Sequence, residues 1–115
     1  MALLLDLTHL PTTTGGGPQW GHESDDLDLT LLAWTGEQGV APHTNAEVDV
    51  LLIAVAGVGE VRAGHEVFRL QPGQGLLIPK GSERSIRCVG EQFAYLSVHR
   101  RRRGLWPTLH GQPLG

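Results

Sequence analysis

Gly73-Gln74-Gly75-Leu76-Leu77-Ile78-Pro79-Lys80-Gly81-Ser82-Glu83-Arg84 alternates turn chemistry with one short apolar run. Pro72 just before it and Gly73 at its start suit the early and positive-φ positions of a tight turn. Leu76 to Ile78 then reads as a short strand, stopped by Pro79, which has no N–H to give a ladder. Upstream, Val48 to Ala56 is apolar on both parities and rich in Val, Leu and Ile, the pattern of a central strand covered on both faces. Between the two, Gly57 to Leu70 predicts a hairpin. Val58–Arg62 would pair with His65–Leu70 across a turn at Ala63-Gly64.

The same alternation of short strands and breakers continues outward. Asp26 to Trp34 places Leu27, Leu29, Leu31 and Ala33 on one face and Asp28 and Thr30 on the other, a half-buried strand. Ser85–Val89 and Phe93–His99 are expected as two further strands, and Leu3–Leu7 as a short N-terminal one. Thr12 to Pro18 (TTTGGGP) reads as a flexible connector, and the segment from Trp106 as a tail that orders only by docking. The expected organisation is an N-terminal strand and connector over 1–20, a β-barrel over 21–104 and a tail over 105–115. No window carries helical periodicity, so the fold class is all-β. Closing a barrel disposes of the sheet edges that about eight short strands would otherwise expose.

At 115 residues the chain makes one domain, and 40% apolar residues suffice to fill one core. The lone Cys88 excludes an intrachain disulfide and suits a reducing compartment. The start lacks the positive region of a secretory signal, and the longest apolar stretch, Val50 to Val58, falls short of the ~20 residues a membrane span needs. A soluble, cytoplasmic protein with no membrane partner is the expectation. Net charge is −3, with all nine basic residues between Arg62 and Arg103. The run Arg100 to Arg103 has an acidic counterpart in Glu23, Asp25, Asp26 and Asp28, so an internal or cross-subunit pairing is expected rather than nucleic acid.

The chemistry concentrates in His43-x-Asn45-x-Glu47-x-Asp49. If extended, these four residues project to one side, with Leu51, Ile53 and Val55 continuing that face inward. This motif, ending at Gly57, and Gly73-x5-Pro79-x-Gly81-x-x-Arg84 after it resemble the two signature motifs of the cupin superfamily. The resemblance runs from about Gly36 to Val98 and implies a single-domain cupin, a double-stranded β-helix jelly-roll barrel. In that family His-x-His and a Glu in the first motif and a His in the second hold a metal. Here His43 and Asp49 fill two of those positions, while Asn45 and Arg84 replace the other two imidazoles.

Two arrangements follow. With His43 and Asp49 as metal ligands, helped by Asn45 or Glu47, a divalent Fe, Mn, Zn or Ni is held, and Arg84 orients an anionic substrate. Without a metal, Arg84, always protonated and unable to donate a lone pair, forms a forked pair with Asp49 or Glu47. The expectation is a small-molecule-binding cupin, its ligand anionic, metal-free or weakly metal-binding, with His43, Asn45, Glu47, Asp49 and Arg84 lining the site. The alternatives are a metal-dependent isomerase or dioxygenase on His43 and Asp49, and a structural or interaction protein with a vestigial pocket. Similarity to single-domain cupins also implies a homodimer, through the Leu3–Leu7 strand and the outer face of Val48–Ala56. Cys88, where the second motif often has Asn, reads as a small buried hydrophobe. Tyr95, Ser97 and His99 are expected on a solvent-facing side, opposite Ala94, Leu96 and Val98. His9, His22, His65 and His110 are expected to be solvated. No nucleophile-elbow context and no phosphate-cradling Gly loop appears.

Overall fold

The computed structural model describes residues 2–10 and 16–102. Seven strands form in chain order: β1 (Gly17–Glu23), β2 (Leu27–Thr35), β3 (Gly39–Thr44), β4 (Val50–Ala63), β5 (Glu66–Leu70), β6 (Gly75–Ile78) and β7 (Glu83–Arg100). All their pairings are antiparallel. The two long strands, β4 and β7, pair with each other from end to end and each serves two walls. The second half of β7 pairs with β2, and the first half of β4 pairs with β6, giving the order β1-β2-β7-β4-β6. The first half of β7 pairs with β3, and the second half of β4 pairs with β5, giving β3-β7-β4-β5. The two walls enclose one interior, the jelly-roll arrangement.

Glycine makes the corner between the walls possible. The β4–β7 register shifts around Gly57 and Gly59, and Gly57 has φ +68° while Gly90 on β7 has φ +107°. A Cβ on Gly57 would overlap the Gln92 carbonyl oxygen, and one on Gly59 would overlap the Phe93 ring. The segments expected as two strands, Ser85–Val89 and Phe93–His99, are therefore one bent strand. Gly90 turns the chain without ending its pairing.

Leu32 and Trp34 of β2, Val50, Leu52 and Ala54 of β4, Ile86 and Cys88 of β7 and its Phe93 and Tyr95 pack together in the interior. Val50, Leu52 and Leu32 have no exposed surface, and burying each such side chain contributes about 1.5–3 kcal/mol. Leu31, Ala33, Ala94 and Leu96 are also buried but lie outside that cluster. They share the outer face of the β2–β7–β4 wall with half-buried Leu51, Ile53 and Val55. Two expectations are thereby corrected. The inward face of β2 is the Leu32–Trp34 parity, not the Leu27–Ala33 one. Tyr95 and Ser97 point into the barrel, because their parity is that of Phe93 in the core.

The hairpin forms as expected, one residue later: Ala63 pairs with Glu66, and Gly64 and His65 make the turn, with Gly64 at φ +60°. Residues 2–6 form no strand, so the expected strand at Leu3–Leu7 is absent, and Leu3 and Leu4 are largely exposed. Gly17 and Pro18, read as connector, instead begin β1 at the edge of its wall, where a missing N–H is tolerated. The rest of that connector, 12–15, with Gly16 bordering the strand, and the expected C-terminal tail lie mostly or wholly outside the described residues. Arg101 meets Glu23 at 3.1 Å and accounts for part of the basic run as an internal pairing. No helix among the described residues is long and apolar enough to cross a membrane.

Candidate ligand site inside the barrel

Strand β3 brings His43 directly opposite Arg84 of β7. Directly opposed residues in an antiparallel pair project to the same side, with Cβ atoms about 4.5–5.5 Å apart. Arg84 shares its face with Ile86 and Cys88, so both His43 and Arg84 stand on the interior side. Arg84 is 1% exposed. Burial pulls its guanidinium below its ordinary value; the Tyr95 phenol opposes that fall and Arg102 adds to it. The side chain remains a cation at any ordinary pH.

The local fold fixes the chemistry of the His43 ring. Its Nδ1 lies 3.0 Å from the Ala41 carbonyl oxygen. A carbonyl only accepts, so Nδ1 carries the proton and donates it. In the neutral ring the Nε2 atom is then a bare acceptor. Nε2 is buried and has no hydrogen-bond partner.

Tyr95 and Ser97 continue the inward face of β7. The Tyr95 hydroxyl accepts a hydrogen bond from Trp34 Nε1 at 3.2 Å, and its ring packs on Phe93 at 5.1 Å between centroids. Burial drives the phenol well above the ordinary tyrosine range, with the Trp34 hydrogen bond and Arg84 pulling the other way. The hydroxyl therefore keeps its proton and can donate it. Ser97 is 2% exposed, lies opposite Thr30 and Leu52 in register, and its Oγ has no partner. Farther along, His99 is opposite Asp28, with Nε2 at 3.7 Å from Oδ2 and a side chain 9% exposed; it is not the exposed end that its neighbouring arginines suggested.

The other residues of the first motif leave this face. Asn45 folds its side chain back: Oδ1 accepts from the Glu47 N–H at 3.0 Å and the Val48 N–H at 3.3 Å. That turn breaks the extended parity expected over 43–49, so it is Val48, Val50 and Leu52 that enter the core. Glu47 and Asp49 are exposed and line an outer cleft of about 260 Å³ with Lys80 and Arg100. Asp49 accepts the Lys80 N–H at 2.8 Å, and the Gly81 N–H donates to the Asn45 carbonyl at 2.8 Å. The two motifs do meet, but Asn45 and Asp49 serve as stitches that hold the second motif's turn. A forked pair of Arg84 with Asp49 or Glu47 is not what this arrangement provides.

A metal held by His43 and Asp49 does not fit this geometry, since one faces the interior and the other the outer cleft. Among the described residues no group of three or more His, Cys, Asp and Glu side chains could hold a metal ion. Cys88 is buried and free, and burial pushes its thiol up, as suits a small core residue. A larger cleft, of about 430 Å³, lies between β3, β4 and β7 and includes Glu37, Glu60, Arg62, Ser85 and Arg87. There Arg87 meets Glu60 at 3.4 Å. The residues missed from sequence are Tyr95 and Ser97; their shared parity with the large apolar Phe93 was the available signal.

Solved structures share this architecture. KdgF from a Halomonas species is 21% identical, with a TM-score of 0.67 over 71% of this chain and 74% of that one. A cupin-2 domain protein from Shewanella frigidimarina is 24% identical, with a TM-score of 0.65 over 77% and 84%. A double-stranded β-helix protein from Klebsiella pneumoniae is 19% identical, with a TM-score of 0.69 over 87% and 90%. At these identities the likeness speaks for the fold. No curated protein matches the sequence significantly. The family described as AraC-like ligand binding domain matches residues 27–114, a span that contains both motifs and His43, Arg84, Tyr95 and Ser97. The chain belongs to the AraC-like ligand binding domain family, built as a cupin-type jelly roll.

Proposed function

We propose that this domain binds a small anionic molecule inside the barrel, without a resident metal. The observation that carries the reading is Arg84, 1% exposed on the inward face and directly across the strand pair from His43. Burying a guanidinium costs stability relative to an apolar residue of similar volume. Its planar fork of donors matches the geometry of a carboxylate or phosphate. His43 and Tyr95 add polar atoms, and Trp34, Phe93 and Leu52 supply the apolar wall that a small-molecule site uses to orient its ligand. The carboxylates of the first motif face outward, and among the described residues no group of three or more His, Cys, Asp and Glu side chains offers the donors that a resident divalent metal favours.

The test joins elemental analysis to a thermal-shift screen of carboxylates and inorganic phosphate. The protein is purified without chelator and without a nickel column. We expect no stoichiometric transition metal. We also expect an anion that raises the melting temperature by roughly 10 °C at 100 times its Kd, an effect abolished in Arg84→Met. A stoichiometric metal that disappears in His43→Ala overturns the metal-free reading and favours the enzyme alternative. Unchanged anion stabilisation in Arg84→Met removes the role given to the guanidinium.

A further inference from the structure

The larger outer cleft lies on the side of the β3-β7-β4-β5 wall that faces away from the barrel interior. Ile86 and Val61 point into the core, so their strand neighbours Ser85, Arg87, Glu60 and Arg62 point outward. Register sets them in two rows. Arg87 stands between Glu60 and Gly39 in one, and Ser85 stands opposite Arg62 in the other. Gly39 brings no side chain and Ser85 only a short one, so the ground between the longer side chains stays open as a cleft of about 430 Å³. That is room for a small molecule. Gly39 is fixed as glycine, because a Cβ there would overlap the Ile86 carbonyl oxygen.

The charges around this hollow are only half paired. Arg87 Nη2 lies 3.4 Å from Glu60 Oε1, and the second Glu60 carboxylate oxygen has no hydrogen bond among the described residues. Arg62 is exposed, and among the described residues its guanidinium makes no ion pair or hydrogen bond. Glu60 and Arg62 are outward neighbours on β4, two residues or about 6.8 Å apart along the strand, yet they do not pair with each other. Arg69, opposite Glu60 on β5, does not line the cleft.

We propose that this cleft is a second binding site, outside the barrel, for a free α-amino acid. The ligand carboxylate lies on the Arg62 guanidinium, and the ligand ammonium meets the open oxygen of Glu60. Ser85 donates its hydroxyl to the same carboxylate, since directly opposed residues have Cβ atoms about 4.5–5.5 Å apart. The lining sets the carboxylates of Glu37 and Glu60 against the guanidiniums of Arg62 and Arg87, so it does not favour a dianion such as phosphate. A ligand with both charges on one carbon fits between an acid and a base that neighbour each other on one strand. The terminus of a protein carries only one of the two charges. Val40 and Ala41 also line the cleft and give the ligand side chain apolar surface. The site is independent of Arg84, which points to the opposite side of the same wall.

Isothermal calorimetry on the full chain at about pH 7.5, where all these groups are charged, tests this with two matched sets. One is leucine, 4-methylpentanoate and 3-methylbutylamine; the other is phenylalanine, 3-phenylpropionate and phenethylamine. In each, the second member lacks the ammonium and the third lacks the carboxylate. We expect one of the two amino acids to bind at least ~10-fold tighter than both of its analogues. Arg62→Met and Glu60→Gln each weaken that amino acid at least ~10-fold, and Arg84→Met leaves its affinity unchanged. If neither amino acid binds at millimolar concentration, the proposal falls. Equal binding of the carboxylate lacking the ammonium overturns the amino-acid assignment, as does tighter binding of inorganic phosphate than of both amino acids. Affinity that survives Arg62→Met but is lost in Arg84→Met overturns the outer site and moves the ligand into the barrel. Arg62 and Glu60 stand on the outer face, so their variants decide the outcome even if Arg84→Met fails to fold.

Discussion

Replacing Tyr95 by Phe removes one oxygen from the centre of the barrel and tests how the interior is held. The ring stays, so its packing on Phe93 stays. What is lost is the acceptor of the Trp34 Nε1–H, 3.2 Å away, between two side chains that are 0% and 8% exposed. A buried N–H left without a partner costs about 1–3 kcal/mol. For a domain of this size that lowers the melting temperature by roughly 4–12 °C. The phenol adds a second signature. Its native pKa is raised above the ordinary tyrosine value by burial, so the native state holds this proton more tightly than the unfolded chain does. That contribution is fully present below the unfolded pKa of about 10 and is lost as the pH rises through the native value. By about pH 11 the unfolded state has gained roughly 1.4 kcal/mol from ionising this residue while the native state has not. Tyr95→Phe lacks that term, so its deficit against the unsubstituted protein shrinks by roughly 1.4 kcal/mol between about pH 8 and pH 11. Cys88, whose thiol burial also pushes up, is common to both proteins and cancels. Thermal melts by circular dichroism at the two pH values suffice. A variant within about 1 °C of the parent at pH 8, or a deficit that does not change with pH, would refute the reasoning.

Two further substitutions probe the frame around the site. Asn45→Ala removes the acceptor of the Glu47 and Val48 N–H groups, and we expect denaturant melts to show a loss of about 1–2 kcal/mol; a loss below ~0.3 kcal/mol would mean that the turn holds without its side chain. Gly57→Ala combines a positive φ with a Cβ that overlaps the Gln92 carbonyl oxygen, so we expect a loss above ~3 kcal/mol or no soluble protein, and a near-native melt would show that the β4–β7 corner is not as tight as drawn.

Most of the wall structure was legible because Gly and Pro stand where the backbone needs them. Gly64 and Gly73 both have positive φ, and each falls in a turn that the sequence located to within a residue or so. Side-chain direction was harder to read. Over Phe93 to Val98 every residue is buried or half-buried, since a second apolar layer covers the outer face, and alternation then no longer tells inside from outside. That is why Tyr95 and Ser97 were assigned to solvent. The error over 43–49 has a different origin. The parity argument needs an extended chain, and one short polar side chain, Asn45, offers its neighbours' N–H groups a partner outside any ladder. One such turn suffices to exchange the inward and outward sets, sending Glu47 and Asp49 to the surface. The strand β1 was missed because Gly17 and Pro18 read as breakers, although an edge strand tolerates both.

The consequence of that turn for function is one of charge. A cupin-type metal site of imidazoles and one carboxylate is negative before it is filled, and a divalent cation completes it. In this barrel the carboxylates of the first motif lie outside, and the second motif supplies a guanidinium where an imidazole would stand. The changes at Asn45 and Arg84 therefore act together. The first carries acidic groups out of the interior by reshaping the chain, and the second brings a cation in. Either change alone gives a poor site: an emptied ligand set, or a cation beside inward-facing acids. On the anion-binding reading proposed above, both at once turn a frame suited to a cation into one suited to an anion. If that coupling is real, restoring the acids without removing the cation should not restore metal affinity. Arg84→His alone should also fail, because Glu47 and Asp49 still face outward. Stoichiometric zinc binding by the single variant Arg84→His would break the argument, since one imidazole would then have sufficed without any carboxylate from the first motif.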